Sequence, residues 1–239
     1  MQLERLLQSQ GFGSRKVCRQ RIEAGDVRVN GAACRDPQAD FDTAALTFEI
    51  DGDVWAYAEH VYLALHKPAG FECTHQPQHH RSVYTLLPPP LVRRGAQSVG
   101  RLDADTTGLL LFSDDGRFIH ALASPKRRVA KHYRAALKHP FDEALPGKLL
   151  AGVLLTDEPA PLAALAAQQL DTRTLALSID QGKYHQVKRM VAAAGNRVEA
   201  LHRTGFGALS LENSSLPPLA PGDWCYLDKN HLALLGYRH

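Results

Sequence analysis

Little in this 239-residue sequence offers a redox or metal framework. Only four cysteines are present, Cys18, Cys34, Cys73 and Cys225, with no CxxC pair and no regular spacing. That argues against a disulfide scaffold or a zinc site and leaves the reduced thiols of a cytoplasmic protein as the expectation. Long apolar runs are also missing. No stretch approaches the roughly 20 residues of a membrane span, and Glu4 and Arg5 stand where a secretory signal would carry its apolar core. A glycine-rich phosphate fingerprint and a strict βαβ repeat are lacking as well, which speaks against a dinucleotide-binding sheet.

What is present suffices for one large domain and a small one. The 44% hydrophobic content can build a sizeable core, and 22% charged residues is ordinary for a globular chain. The net charge of +3 is unevenly laid out. Residues 1–35 hold seven Lys/Arg against three acids, residues 36–60 hold seven acids and no Lys or Arg, and the remainder is again basic. Such asymmetry points to an anionic partner met by chosen faces.

Leu3, Leu6 and Leu7 have helical spacing, ended by Gly11 and Gly13. Ser14 is a suitable N-cap for a second helix closed by Gly25, with Val17, Cys18 and Ile22 on its inner side. "VRVNG" (27–31) reads as a strand entering an Asn-Gly hairpin turn. The expectation is a small helix–helix–hairpin domain over 1–55 and a larger domain over 60–239. Arg15 and Lys16 occupy the first turn of the second helix, where the dipole disfavours cations. With Arg19 and Arg21 extending the patch, phosphate binding explains them better than a merely solvated face.

In the larger domain, strands are expected at 62–65, 109–112, 131–137, 175–179 and near 198–202. Helices are expected after Gly116 (Phe118, Ala121 and Leu122 inward) and over 185–195. This pattern fits an α+β fold with a largely antiparallel sheet. The loop from Phe71 to Pro90 carries Cys73, His75, His79 and His80. Pro77 prevents a helix from presenting two of these histidines together, so a polar loop is expected and no metal site.

One stretch stands apart: "GRLDADTTGLLLFSDDG" (100–116) sets Asp103 and Asp105 in a turn ahead of an unbroken apolar run. A carboxylate at the mouth of a buried strand is costly unless paired. Three readings compete. The DADTT segment resembles the DxDxT signature of haloacid-dehalogenase-like phosphohydrolases, but those carry the first Asp after a buried strand, whereas here the strand follows. A glycosidase pair needs its acids about 5 to 9.5 Å apart across the scissile bond, which i, i+2 neighbours rarely achieve. As turn-capping residues of a pure binding module, Asp105 is accounted for, but a second carboxylate in the same turn is not.

The full stretch resembles the signature of RNA pseudouridine synthases. Around it, in order, stand "HKPAG" (66–70), "KHYRAAL" (131–137) and "GKYHQVKRM" (182–190), and the leading unit resembles the alpha-L RNA-binding motif of a small-subunit ribosomal protein. His66 departs from the Asn common before Lys-Pro, and Ala130 from the Glu that often precedes the lysine. The resemblance implies a catalytic domain of pseudouridine synthase type and isomerisation of a specific uridine. The partner it implies is ribosomal RNA or an assembling small ribosomal subunit, met by a monomer with no membrane and no cofactor. It implies Asp103 as the catalytic carboxylate, attacking the sugar or assisting its deprotonation. Tyr133 would pack on the uracil, and Lys188 would pair with Asp103. Arg101, Lys67, Arg15, Lys16, Arg19, His185 and Gln186 are the implied RNA contacts, Arg101 filling the space of the extruded base.

Overall fold

The computed structural model describes residues 1–237; residues 238–239, the end of the expected larger domain, lie outside the described residues. The chain divides into two compact units, one of Met1–Val61 with Leu87–Gln97, the other of Tyr62–Leu86 with Ser98 onward.

The first unit follows the local signals closely. Helix Leu3–Ser9 precedes helix Arg15–Ala24, which Ser14 caps by accepting from the Val17 N–H and Gly25 closes at φ +91°. Cys18 and Ile22 are buried, but Val17, expected beside them, is 42% exposed. The helical advance of about 100° per residue turns position 17 off the face shared by 18 and 22. Arg28–Val29 and Ala32–Ala33 form the hairpin, with Asn30 (φ +48°) and Gly31 (φ +81°) both left-handed as a type I′ turn requires. The acidic segment supplies a second hairpin, Thr47–Ile50 with Asp53–Ala56, whose Phe48 and Ile50 join Leu3, Leu6, Leu7 and Phe12 in the core. Phe12 sits edge-on to Phe48 and to Trp55, centroids 5.3 Å apart in both pairs.

That core also encloses a charge. The fully buried Glu4 carboxylate accepts from Arg19 Nε at 2.9 Å, Arg15 Nε at 2.6 Å and Gln38 Nε2 at 2.9 Å. The Arg19 hydrogen bond, opposed by burial and reinforced by Arg15, lowers the Glu4 pKa from 4.5 to about 2. An acid whose folded pKa is depressed lends stability above its unfolded pKa, which is lost as pH falls through the folded value. Urea melts should therefore show stability declining between about pH 4.5 and pH 2, and Glu4→Gln should flatten that decline by one proton's worth.

The second unit is built on one mixed sheet. Seven strands run in the spatial order Ala166–Gln169, Thr174–Ile179, Lys131–Leu137, Val198–Phe206, Thr107–Ser113, Tyr62–Lys67, Trp224–Tyr226. Neighbours are antiparallel except Thr107–Ser113 with Val198–Phe206, which is parallel. The Leu109–Phe112 run is wholly buried because this strand is central and covered on both faces. Helix Gly116–Ala123, capped by Asp115, packs Phe118 and Leu122 onto one face with Leu109, Leu111 and Phe206; Ala121 is only partly buried. Gly108 marks a tight approach between the two parallel strands. At φ +111° it lies against the Arg203 backbone, and a Cβ there would collide with the Arg203 carbonyl oxygen.

Candidate active site

The turn 103–106 enters the central strand between the strands that carry Lys67 and Arg203. It is pinned from below. Thr106 N–H closes it on the Asp103 carbonyl at 3.1 Å, and Gly70 N–H reaches the Ala104 carbonyl at 2.8 Å. Lys67, at 0% exposure, points its ammonium at the same backbone and donates to the carbonyls of Thr106 (2.8 Å), Asp103 (3.0 Å), Pro68 (3.1 Å) and Ala104 (3.3 Å).

Lys67, expected as an RNA contact, lies buried as an internal brace of the turn. Its three N–H donors are already shared over four carbonyls and none faces outward. Burial pushes its pKa below the ordinary lysine value, opposed chiefly by Cys73 and then by Asp105 and Asp103. Lys67→Met should strip the turn of that donor and cost about 3 kcal/mol of stability. The check is the denaturant midpoint, and a shift worth under about 1 kcal/mol would show the brace to be idle.

With the turn fixed, Asp103 faces a pocket, partly open to solvent, that Tyr133, Lys131, Arg203 and Leu201 also line. Strand register sets Tyr133 opposite Arg203. Helix Gln186–Ala193 brings Lys188 to the turn across 85 residues of sequence. Its Nζ lies 3.0 Å from Asp103 Oδ2, and 2.7 Å and 3.0 Å from the two oxygens of Asp105. One ammonium thus bridges two carboxylates. Burial alone would raise the Asp105 pKa, but the hydrogen bond and charge of Lys188 outweigh it and hold the value below the usual carboxylate range. Burial likewise works against the Lys188 charge, yet Asp105 and then Asp103 lift its pKa above the ordinary value. Asp105 is 71% exposed and does not line the pocket, whereas Asp103 does.

His185 precedes the helix at φ +47°, a left-handed conformation costing about 1–2 kcal/mol for a residue with a Cβ. This turn places its Nε2 3.3 Å from Asp103 Oδ1. Gln186 lines the pocket but is 4% exposed, its side chain bonded to Lys183 N–H and directed at the Met190 sulfur. Arg101 stands exposed at the rim. Arg15 and Arg19 are half exposed and Lys16 exposed on their own helix in the first unit, the two arginines sharing Glu4.

Two features escape sequence reading. Arg203 is 2% exposed, donates Nε to the Leu109 carbonyl at 2.7 Å, and has a second amino group, Nη2, buried without a hydrogen-bond partner. The only signal was a basic residue beside the apolar end of a strand. The brace role of Lys67 had no signal at all. In the His-rich loop, Cys73 Sγ contacts the Leu102 backbone at 3.4 Å and His75 stacks on Tyr84. Among the described residues no group of three His, Cys, Asp or Glu side chains is placed to hold a metal ion.

Comparison with known proteins decides the family. Residues 61–193, more than half of the chain, match the RNA pseudouridylate synthase model, and residues 1–40 match the S4 domain. This chain belongs to the RNA pseudouridylate synthase family. It is 35% identical over 239 residues to an RNA pseudouridine synthase of Bacillus subtilis, with 98% of each chain covered. It is also 35% identical to ribosomal small subunit pseudouridine synthase A of Vibrio vulnificus, covering 97% of this chain and 98% of that one. A crystal structure of a pseudouridylate synthase superposes with a TM-score of 0.68 at 30% identity, over 98% of this chain and 99% of that one. Fold and family thus agree with the α+β expectation: an S4 domain leads a mixed-sheet pseudouridine synthase fold, and the enzyme is an RNA isomerase. No helix among the described residues is long and apolar enough to cross a membrane.

Proposed function

We propose that this pseudouridine synthase isomerises one uridine of small-subunit ribosomal RNA, with Asp103 as the carboxylate that acts on the sugar. The observation carrying this reading is the pocket that the braced turn and Tyr133 both line, with Lys188 bonded to its Asp103 carboxylate. Near-complete alignment with a relative named for the small ribosomal subunit supports the choice of RNA.

In this reading the bond between uracil N1 and C1′ breaks with its electron pair leaving on the base. The base turns, C5 bonds to C1′, the C5 proton departs and N1 takes one up. The detached uracil is anionic, and Arg203 with Lys131 gives the pocket floor the matching charge. Tyr133 packs on the ring and takes part in removing the C5 proton. Asp103, which Lys188 orients, either attacks C1′ to form an ester that breaks as C5 bonds to that carbon, or assists removal of a sugar proton that is returned as the C5–C1′ bond forms. The chain's own groups suffice for these steps, so the reading calls on no cofactor. The reading takes the enzyme to act as a cytoplasmic monomer. The leading RNA-binding domain, taken as 1–55, holds RNA through Arg15, Lys16 and Arg19, and the domain from residue 60 performs the chemistry. Arg101, exposed at the pocket rim, contacts the RNA strand beside the extruded base.

The test uses small-subunit RNA transcribed with tritium at uracil C5. Because C5 exchanges its hydrogen for the sugar, purified enzyme should release one tritium to water per pseudouridine formed. RNA that is bound but releases none would overturn the reading.

A further inference from the structure

The mouth of the Asp103 pocket continues into a second groove. Its floor is Gly100–Ala104, the segment that carries Asp103, and its walls are Glu72–Thr74 and Gly182–His185. Both walls are held in place. The Glu72 carboxylate accepts the backbone N–H groups of Gln78 (3.0 Å), His79 (2.9 Å) and His80 (2.9 Å), and Cys73 is tied to Leu102. Opposite, the Tyr184 carbonyl accepts from Arg189 Nη1 at 3.1 Å.

On that second wall Tyr184 is 71% exposed, the most exposed aromatic side chain among the described residues. Its ring stacks on His185, centroids 3.8 Å apart and planes within 21°, and His185 in turn touches Asp103. With His185 covering one face, the exposure belongs to the other face and the edges. A rigid ring with an open face beside a cationic rim is the arrangement that single-stranded RNA uses, each base having a π-face to stack. Arg101 supplies the cation on the floor.

We infer that this groove is the subsite for a nucleotide immediately adjacent to the target uridine, with its base on the open face of Tyr184 and its phosphate toward Arg101. The inference rests on the proposed function and adds to it where the neighbouring strand goes. Extruding a uridine strips its neighbour of a stacking partner, and the Tyr184 ring replaces it next to the reacting sugar. Stacking of this kind tolerates any base, so the subsite fixes strand path without demanding sequence.

The experiment uses the full chain and short single-stranded RNA oligonucleotides bearing the target uridine, each neighbour replaced in turn by an abasic residue. Kd and single-turnover conversion are measured for wild type, Tyr184→Ala and Tyr184→Trp. At one of the two neighbouring positions the abasic residue should weaken wild-type binding by about 5- to 100-fold. Tyr184→Ala should bind the intact RNA about as weakly and lose nothing further from the abasic change, and Tyr184→Trp should regain the sensitivity. Equal abasic penalties in wild type and Tyr184→Ala, or no penalty at either position, would overturn the subsite while leaving the isomerase reading intact. A wild type that binds these RNAs but converts no uridine would instead remove the functional reading, and the subsite with it.

Discussion

Asp103→Asn is expected to abolish isomerisation, by at least about 10⁴-fold in single-turnover rate, while leaving the RNA Kd within a few-fold of wild type. The amide keeps the shape of the side chain, and the Asp103 carbonyl can still accept from Lys67 and Thr106, so the turn should hold. What disappears is the ionised oxygen facing the pocket, and with it either the nucleophile or the base. Binding should survive because the exposed cations of the S4 domain and of the rim are untouched. Asp105→Asn gives the contrast. That carboxylate shares Lys188 but lies outside the pocket lining, so its loss should cost no more than about tenfold. Equal loss from the two substitutions would mean that the carboxylates act as a catalytic pair.

Lys188→Met should be the second most damaging change, with a loss of about a hundredfold or more that alkaline pH does not restore. The loss follows from geometry, because one ammonium holds Asp103 at 3.0 Å and both oxygens of Asp105 within 3.0 Å. Without it, two neighbouring carboxylates repel and move apart. Displacement of a reacting group by about 1 Å can cost about a hundredfold. Lys188→Arg should retain more activity, since a guanidinium can bridge two carboxylates. A pH–rate profile of the Met variant at saturating RNA checks this: full recovery at high pH would overturn the positioning account.

The elements that local chemistry specifies were legible in the sequence. Ser14 and Gly25 bound a helix by capping, Asn30-Gly31 demands a type I′ turn, and the Leu109–Phe112 run can only be a strand covered on both sides. The turn carrying Asp103 was legible for the same reason, since glycine and threonine punctuate it. Contacts made across the sheet were not. That Lys188 serves two carboxylates depends on where helix Gln186–Ala193 lands, and the burial of Glu4 on Arg15 and Arg19 depends on how two helices meet. Lys67 looked like a cation for RNA because nothing near it in sequence shows that four carbonyls converge on its ammonium. Arg203 hides in its strand for the same reason: a buried guanidinium is unreadable until its carbonyl partner, Leu109 on the next strand, is placed. Val17 was misplaced by a single residue's rotation, which apolar spacing over one short helix does not resolve.

The most direct measurement is pseudouridine mapping of small-subunit ribosomal RNA from cells lacking this gene, complemented with wild type or with Asp103→Asn. The expected result is one pseudouridine lost on deletion, restored in full by wild type and not at all by Asp103→Asn at equal protein level. An unchanged map on deletion, or restoration by Asp103→Asn, would contradict the assignment of Asp103 as the carboxylate that isomerises a small-subunit uridine.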